Sequence, residues 1–337
     1  MKDIRNYSLL AHNTFGIDAK CKRFLEYASV DEARSLWGVL SAEDAPLLIL
    51  GGGSNLLLTG DYPGTVLHSA IRGIRVVDEG DSVCLECGSG ETFDDVVAFA
   101  VEHGYHGAEN LSIIPGEVGA SAVQNIGAYG VEAKDIIEKV EAVEIATGKL
   151  AVFSNADCEY SYRQSKFKHE WRDKYLVTHV TYRLSKTFSP DLDYGNIRAA
   201  LAVKDIENPT AQQLRDVIIG IRNAKLPDPK VQGNAGSFFM NPIVDRAKYE
   251  ELASAYEKMP HYTIDEEHEK IPAGWMIEQC GWKGKSLGRA GVHDRQALVL
   301  VNRGGATGGD IVRLCEAVQK DVKEKFGIEI RPEVNVK

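Results

Sequence analysis

The chain has 337 residues, of which 44% are hydrophobic and 26% are charged, and its formal net charge at pH 7 is −10. Single hydrophobic cores usually stop growing below this length, so we expect two or three domains. The negative charge argues against general binding to nucleic acid or to anionic membranes, since both need a positive surface field.

The sequence predicts neither a membrane segment nor a disulfide framework. No run approaches the roughly 20 apolar residues that span a bilayer, and the six cysteines are scattered along the chain. Cys84 and Cys87 form a CxxC pattern within a predicted strand, where residues three apart point to opposite faces, so we expect no metal site. We expect a cytoplasmic protein.

Strand signals dominate the first two sections of the chain, residues 1–70 and 71–218. The first section ends in an apolar run at 46–50, the turn GGGSN and a second apolar run at 56–58. In the second section we predict hairpins that turn at 79–82 and 147–149, a strand over 174–185, and helices over 92–104 and 211–224. Thr92 and Thr210 stand at the N-cap positions of these helices.

The third section, residues 219–337, mixes helices and strands. KLPDPK predicts a stiff extended segment, and GNAGSFFMNP predicts a turn that enters a strand at Phe238. We further predict a helix over 245–259, a strand at ALVLV, a helix over 310–326 and a closing strand with Glu329, Arg331 and Glu333 on one face. The pattern is typical of an α+β enzyme.

Two glycine-rich stretches are candidate phosphate-binding loops. Backbone N–H groups in GGGSN, 51–55, can converge on an anion, and Ser54 and Asn55 add side-chain hydrogen bonds. In IPGEVGASAVQNIGAYG, 114–130, small residues let extended backbone lie against a flat or phosphorylated ligand, with two carboxamides beside it. Two consecutive turns in a β-rich domain are the alternative for the longer stretch. Both stretches together favour a large ligand with phosphate groups.

Five strings carry a family resemblance. LGGGSN, IPGEVGASAVQNIGAYG, SYRQSKFK, KLPDPKVQGNAGSFFMNP and RPEV occur in this order between about residue 10 and the end of the chain. In this order and approximate spacing they resemble the UDP-N-acetylenolpyruvoylglucosamine reductase family. DYGNIRAAL, which contains Tyr194, resembles a segment of the longer of the two subtypes in that family.

The resemblance implies a three-domain α+β flavoenzyme. Its FAD-binding part would have the vanillyl-alcohol-oxidase (PCMH-type) fold, formed by residues 1–70 and 71–218, and residues 219–337 would form an α+β substrate domain. The resemblance leaves open whether the last strand packs back on the FAD-binding part. FAD would bind noncovalently, NADPH would be the reductant, and UDP-N-acetylglucosamine enolpyruvate would be the substrate. We expect a monomer that binds neither nucleic acid nor membrane.

The resemblance also implies roles for individual residues. Ser237 would donate the proton, and Arg163 and Glu333 would be the other two catalytic residues. The residues expected to bind FAD are Gly51, Gly52, Gly53, Ser54, Asn55, Pro115, Gly116, Gly119, Ala120, Ser121, Gln124, Asn125, Gly127 and Tyr129. The residues expected to bind substrate are Tyr162, Tyr194, Lys225, Asn241 and Gln296.

The three catalytic residue types suit the implied chemistry. Hydride from flavin N5 would reach the terminal carbon of the enolpyruvyl group and drive electrons toward its carboxylate. The planar guanidinium of Arg163 matches a carboxylate. Glu333, if protonated, would donate a hydrogen bond to the developing charge. Ser237 would give a proton to the internal carbon, with small neighbours that leave room beside its hydroxyl.

Other interpretations of these residues stay open. Arg163 would alternatively anchor a loop through Asp157 or Glu159, Glu333 would be a solvated strand residue, and Lys225 would complement a helix dipole. The sequence departs from the family pattern at Met240, Ala122, Cys87 and Gly88. Met240 replaces a frequent lysine and so removes a cation.

Three other functions compete with the reductase. A serine hydrolase would use Ser237 as nucleophile with His293 or His179 as base, although GNAGS lacks the GxSxG turn. An oxidase of the same flavin fold would use O₂ as its acceptor. A protein that binds flavin or a UDP-sugar without turnover is the third alternative.

Overall fold

The computed structural model describes residues 1–337, which fold into two compact units. The first unit comprises residues 1–7, 21–52 and 63–224, and the second comprises residues 8–20, 53–62 and 225–337. The division into 1–70, 71–218 and 219–337 stays a prediction. No helix has the length and apolar character required to cross a membrane.

Strands and helices alternate along the whole chain. The strands are β1 Lys2–Ser8, β2 Lys20–Tyr27, β3 Leu47–Leu50, β4 Leu56–Leu57, β5 Tyr62–Ser69, β6 Ile74–Glu79, β7 Ser82–Gly88, β8 Gly127–Ala128, β9 Val131–Glu132, β10 Ile137–Glu144, β11 Leu150–Ser154, β12 Tyr175–Ser185, β13 Asn234–Ser237, β14 Ile243–Asp245, β15 Tyr262–Thr263, β16 His268–Lys270, β17 Ser286–Leu287, β18 Ala290–Val292, β19 Val299–Asn302 and β20 Asn335–Val336. The α-helices are α1 Val30–Val39, α2 Phe93–Glu102, α3 Val118–Gln124, α4 Ile197–Ala202, α5 Ala211–Lys225, α6 Arg246–Ala255, α7 Ala273–Gln279 and α8 Gly308–Phe326.

The first unit contains two main sheets. The larger is antiparallel and has the strand order β11-β10-β12-β7-β6, and the smaller has the order β1-β2-β5-β3, in which β3 and β5 run parallel. Helix α1 packs Ala33 and Leu36 into a core that contains Leu67 of the smaller sheet and Val143 of the larger one. Burial of one apolar helix face therefore joins the two sheets.

Local sequence patterns predict much of this unit. Both hairpins are confirmed, with Glu79 opposite Ser82 and with Gly148 in the left-handed turn between β10 and β11. Thr92 is the N-cap residue of α2, but its side chain does not accept a capping hydrogen bond. At the start of α5, Thr210 Oγ1 accepts from the Gln213 N–H at 3.2 Å.

One prediction for the first unit is wrong. Residues 118–124, predicted to be extended, form helix α3. Alanine favours helix in this stretch, and the helix ends where Asn125 adopts a φ of 44°.

In the second unit, α8 packs against a sheet with the order β13-β19-β18-β17. Its predicted apolar face is confirmed, since all five side chains are buried: Ile311, Leu314, Val318, Val322 and Phe326. A capping box between Thr307 and Asp310 starts the helix, and Gly327 with a φ of 66° ends it. A second sheet has the order β14-β16-β15, and β4 pairs in parallel with β20.

Three predictions for the second unit need correction. The helix predicted over 245–259 ends at Ala255. Strand β13 ends at Ser237 instead of starting at Phe238. The closing segment is not a continuous strand: Pro332 forms an isolated bridge with Phe239, and regular pairing is confined to β20.

Candidate functional site

The two glycine-rich stretches meet within the first unit. A Cβ atom added to Gly51 would lie 3.2 Å from Ala120 Cβ, and one added to Gly52 would lie 3.4 Å from Gly116 Cα. The loop after β3 therefore packs closely against the start of α3, most tightly at Gly51. This contact forms a small cradle, defined here by Gly51, Gly52, Gly116 and Ala120.

Backbone hydrogen bonds fix α3 at this cradle. The N–H groups of Val118 and Gly119 donate to the carbonyls of Glu91 and Ser89 at 2.9 and 2.8 Å, and the Phe93 N–H donates to the Gly116 carbonyl at 3.0 Å. A Cβ atom on Gly119 would lie 3.0 Å from Ser89 Cβ. The helix is thus held close to the segment after β7.

Two of the predicted cofactor residues on α3 have side-chain partners within the protein. The Ser121 hydroxyl is buried and lies 2.6 Å from the Tyr182 hydroxyl. Gln124 Oε1 accepts from Lys168 Nζ at 3.1 Å.

His68 links the cradle to the smaller sheet. Its Nδ1 lies 3.0 Å from Glu26 Oε2, and its Nε2 lies 3.3 Å from Glu117 Oε1. Burial lowers the pKa of His68, but the carboxylates of Glu117 and Glu26 outweigh burial and raise the pKa above its ordinary value. Sequence reasoning missed both residues: His68 stands in no recognisable motif, and Glu117 lies in the string at 114–130 but was assigned no role there.

The raised pKa of His68 predicts a pH-dependent contribution to stability. This contribution is fully present below the unfolded-state pKa of about 6.5 and is lost as pH rises through the higher folded-state pKa. His68→Gln should therefore destabilise the protein more at about pH 6 than at about pH 9. Urea unfolding of both proteins at each pH measures the difference, and an equal loss at both pH values would contradict the assignment.

Arg163 is held against the loop that follows α3. Its Nη1 and Nη2 donate to the carbonyls of Asn125 and Gly127 at 3.3 and 2.8 Å, and its φ is 58°. Its guanidinium carbon lies 5.1 Å from the ring centroid of Tyr162. These contacts orient the guanidinium. Of the two alternative partners, Asp157 accepts from Ser154, and Glu159 pairs with Lys166.

The side chain of Asn125 holds the same loop in place. Its Nδ2 donates to Glu132 Oε2 at 3.1 Å and to the Ser161 carbonyl at 2.9 Å, and its Oδ1 accepts from the Lys134 N–H at 3.0 Å. The amide predicted to contact the cofactor thus makes three hydrogen bonds within the protein. It joins the loop after α3 to the segment that carries Tyr162 and Arg163.

Arg222 on α5 was missed by sequence reasoning. Its Nε is buried and makes no hydrogen bond in the structure. Burial lowers its pKa, and the carboxylate of Asp94 acts in the opposite direction. Because a buried guanidinium needs an acceptor, this orphaned donor marks Arg222 as a candidate ligand contact beside Tyr129.

In the second unit, the segment with Glu333 pairs with the residues that follow Ser237. The Glu333 N–H donates to the carbonyl of Phe238 at 2.8 Å, and the Asn55 side chain donates to the Glu333 carbonyl at 3.4 Å. Ser237 is exposed at the end of β13, whereas the two phenylalanines after it are buried. Buried rings therefore anchor a segment whose serine faces outward.

The side chains of Asn241 and Gln296 approach the first residues of α7. Asn241 Oδ1 accepts from the Ala273 N–H at 2.9 Å, and Gln296 Oε1 would lie 3.2 Å from a Cβ atom on Gly274. Lys225 is exposed at the end of α5. These residues were predicted to bind substrate.

Backbone hydrogen bonds hold residues 53–55 within the second unit. The Gly53 carbonyl accepts from the Thr14 N–H at 3.2 Å, and the Asn55 carbonyl accepts from the Asn335 N–H at 3.1 Å.

The geometry gives no support to a serine hydrolase or to a metal centre. His293 is buried and pairs with Asp294 at 3.1 Å instead of with Ser237. No group of three or more potential ligands among His, Cys, Asp and Glu has the arrangement that holds a metal ion. Cys84 and Cys87 are both free and buried.

Two sequence families match the chain. Residues 22–154 match the family described as FAD binding domain, and residues 228–337 match the family described as UDP-N-acetylenolpyruvoylglucosamine reductase, C-terminal domain. The first match covers the cradle and α3, and the second covers Ser237 and Glu333.

Full-length relatives share one name. A UDP-N-acetylenolpyruvoylglucosamine reductase from Bacteroides fragilis is 57% identical over 332 residues, covering 98% of this chain and 99% of the relative. Those from Flavobacterium johnsoniae and Burkholderia ambifaria are 45% and 46% identical and cover 98% and 97% of this chain, with 98% and 95% of the relatives covered.

Solved structures agree on the fold. The UDP-N-acetylenolpyruvylglucosamine reductase of Thermus caldophilus superimposes with a TM-score of 0.68 at 21% identity, with 99% of this chain and 98% of that chain covered. A 6-hydroxy-D-nicotine oxidase from Arthrobacter nicotinovorans gives a TM-score of 0.55 at 14% identity, with 97% and 86% covered. The chain belongs to the UDP-N-acetylenolpyruvoylglucosamine reductase family and has the α+β fold of an FAD-dependent oxidoreductase.

Proposed function

We propose that the protein reduces UDP-N-acetylglucosamine enolpyruvate to UDP-N-acetylmuramate, a precursor of peptidoglycan, with NADPH as reductant and noncovalent FAD. The names of the full-length relatives support this substrate. The observation that carries the proposal is the cradle where Gly51 and Gly52 meet the start of α3. Two glycine-rich stretches, both candidates for phosphate binding, meet there within the residues that match the FAD binding domain family.

The residues present fit a flavin dinucleotide. Gly51 and Gly52 of the cradle are partly exposed and carry no side chain that would cover their backbone. Arg222 adds a buried donor without an acceptor, and an isoalloxazine ring offers carbonyl and nitrogen acceptors. Bound FAD would accept a hydride from NADPH and supply it to the terminal carbon of the enolpyruvyl group.

Arg163 would bind the enolpyruvyl carboxylate. Two carbonyls of the loop after α3 already orient its guanidinium. Negative charge grows on the substrate carboxylate during reduction, and a fixed cation stabilises the transition state more than the ground state. A lysine at this position would lack the planar fork.

Glu333 and Ser237 would complete the reduction. Glu333, in its protonated form, would donate a hydrogen bond to charge that develops on the substrate, and Ser237 would transfer a proton to the internal carbon. The hydrogen bond between the backbones of residues 333 and 238 holds the two segments together.

Lys225 would bind the diphosphate of the substrate. Lys225→Ala should raise the KM for the enolpyruvyl substrate ~10-fold or more and change kcat little, because a charged hydrogen bond contributes ~1.5–3 kcal/mol. Lys230→Ala is the matched control, since Lys230 is exposed in the same KLPDPK segment. Steady-state kinetics would contradict the role if kcat fell and KM stayed constant.

Product analysis tests the proposed function. NADPH oxidation should depend on the enolpyruvyl substrate, and mass spectrometry should detect a product that has gained two hydrogens. NADPH oxidation that needs only O₂ would indicate an oxidase, and flavin binding without turnover would indicate a binding protein. The monomeric state and the cytoplasmic location stay predictions.

A further inference from the structure

Asn110 joins two distant segments of the first unit through one buried side chain. It lies in the short 3₁₀ helix Glu109–Leu111 and is 3% exposed. Its Nδ2 donates to the Tyr129 carbonyl at 2.8 Å and to the Asp191 carbonyl at 3.0 Å. Both amide protons therefore have an acceptor, and each acceptor belongs to a different loop.

The two loops carry residues assigned to the proposed site. The loop with Tyr129 begins at Gly127, whose carbonyl holds Arg163. The loop with Asp191 leads to Tyr194, the predicted substrate contact. The position of the Asp191 loop relative to the Tyr129 loop therefore affects how Tyr194 would contact the substrate.

The loops also pack closely around glycines. A Cβ atom on Gly130 would lie 3.0 Å from Asp191 Oδ2 and 3.2 Å from Tyr194 Cβ, and one on Gly195 would lie 3.6 Å from the Tyr129 ring. Gly130 has a φ of 86°. Small shifts of either loop therefore move Tyr194 directly.

The 3₁₀ helix that carries Asn110 is tied to the residues just before it, whereas the loop with Tyr194 has no regular secondary structure. The Glu109 carboxylate accepts from the Gly107 N–H at 2.8 Å and lies 2.9 Å from His106 Nδ1. Residues 186–196 contain no helix or strand. Asn110 thus links the 3₁₀ helix Glu109–Leu111 to the loop that contains Asp191 and Tyr194.

We propose that Asn110 is a positioning residue that sets Tyr194 against the turn at 129–130 and thereby determines affinity for the UDP-sugar substrate. This inference rests on the proposed function. Loss of the amide removes both hydrogen bonds, and an aspartate at 110 additionally directs a carboxylate at two carbonyl oxygens.

Kinetics of Asn110→Ala and Asn110→Asp test the proposal. We expect Asn110→Ala to raise the KM for the enolpyruvyl substrate ~10-fold, with kcat within ~3-fold, because misplacement of a binding group weakens its contact. Asn110→Asp should raise KM further. Flavin reduction by NADPH alone should be unchanged in both, since that half-reaction does not use the enolpyruvyl substrate.

A double-mutant cycle separates positioning from general stability. In a Tyr194→Ala background, Asn110→Ala should leave KM unchanged, because the residue that it positions is absent. Additive effects on KM would overturn the inference. If Asn110→Ala does not fold, Asn110→Ser, whose hydroxyl can donate to only one of the two carbonyls, should give the same non-additivity with Tyr194→Ala. Wild-type protein without substrate-dependent turnover would refute the proposed function, whereas additive effects in an active enzyme refute only the role of Asn110.

Discussion

Ser237→Ala should leave the reduction of bound flavin by NADPH nearly intact and slow the reoxidation of that flavin by the enolpyruvyl substrate at least ~100-fold, because general acid catalysis contributes ~10²–10⁴-fold. Only the second half-reaction needs a proton at carbon. The alanine should fit structurally, since Ser237 is exposed and its neighbours Phe238 and Phe239 carry the packing.

Stopped-flow spectroscopy of each half-reaction measures the effect of Ser237→Ala. Ser254→Ala is a suitable control, because the Ser254 hydroxyl only donates to the Glu250 carbonyl on the exposed side of α6. Equal slowing of both half-reactions would show that the hydroxyl has no specific part in proton transfer.

Gly53→Ala should destabilise the protein by ~3 kcal/mol or more. Gly53 has a φ of 66°, and an added Cβ atom would lie 2.0 Å from the carbonyl oxygen of His12. The oxygen belongs to the backbone, so the clash cannot be relieved by a side-chain rotation. The segment around His12 or the loop itself must move.

Gly60→Ala provides the matched control for Gly53→Ala. It adds the same methyl group a few residues away, with nothing within 4 Å of the added atom. We expect its free energy of unfolding to equal that of the wild type within about 1 kcal/mol. Urea unfolding with similar losses for both variants would contradict the packing described for Gly53.

Secondary-structure elements that depend on local sequence patterns are predicted correctly. The apolar face of α8 repeats at helical spacing, and the two hairpins combine alternating residues with a turn at Gly80 or Gly148. Helix α3 is not evident from the sequence, because Gly119 within it and Gly116 just before it also suit a loop. Its position depends on hydrogen bonds to Ser89 and Glu91, which local sequence does not reveal.

The closing segment shows where periodicity alone misleads. Ile328 and Ile330 are buried while Glu329 and Arg331 are exposed, as alternation predicts. Pro332 has no N–H group to donate, and paired backbone is reduced there to one bridge with Phe239. Alternating burial therefore exists without a continuous strand.

Candidate site residues fall into two classes. Ser237, Arg163 and Glu333 follow from strings shared with a family, and their roles stay predictions. His68, Arg222 and Asn110 have no motif. Arg222 is marked by a buried donor without a hydrogen bond, and the importance of His68 and Asn110 arises from partners distant in sequence, Glu117 and Asp191. Only the folded structure reveals such pairs.

An anaerobic titration tests the central claim most directly. The protein should bind FAD, NADPH should bleach the flavin absorbance, and addition of UDP-N-acetylglucosamine enolpyruvate without O₂ should restore the oxidised spectrum with one product formed per flavin. A flavin that stays reduced after the substrate is added, or a purified protein that binds no flavin, would contradict the account.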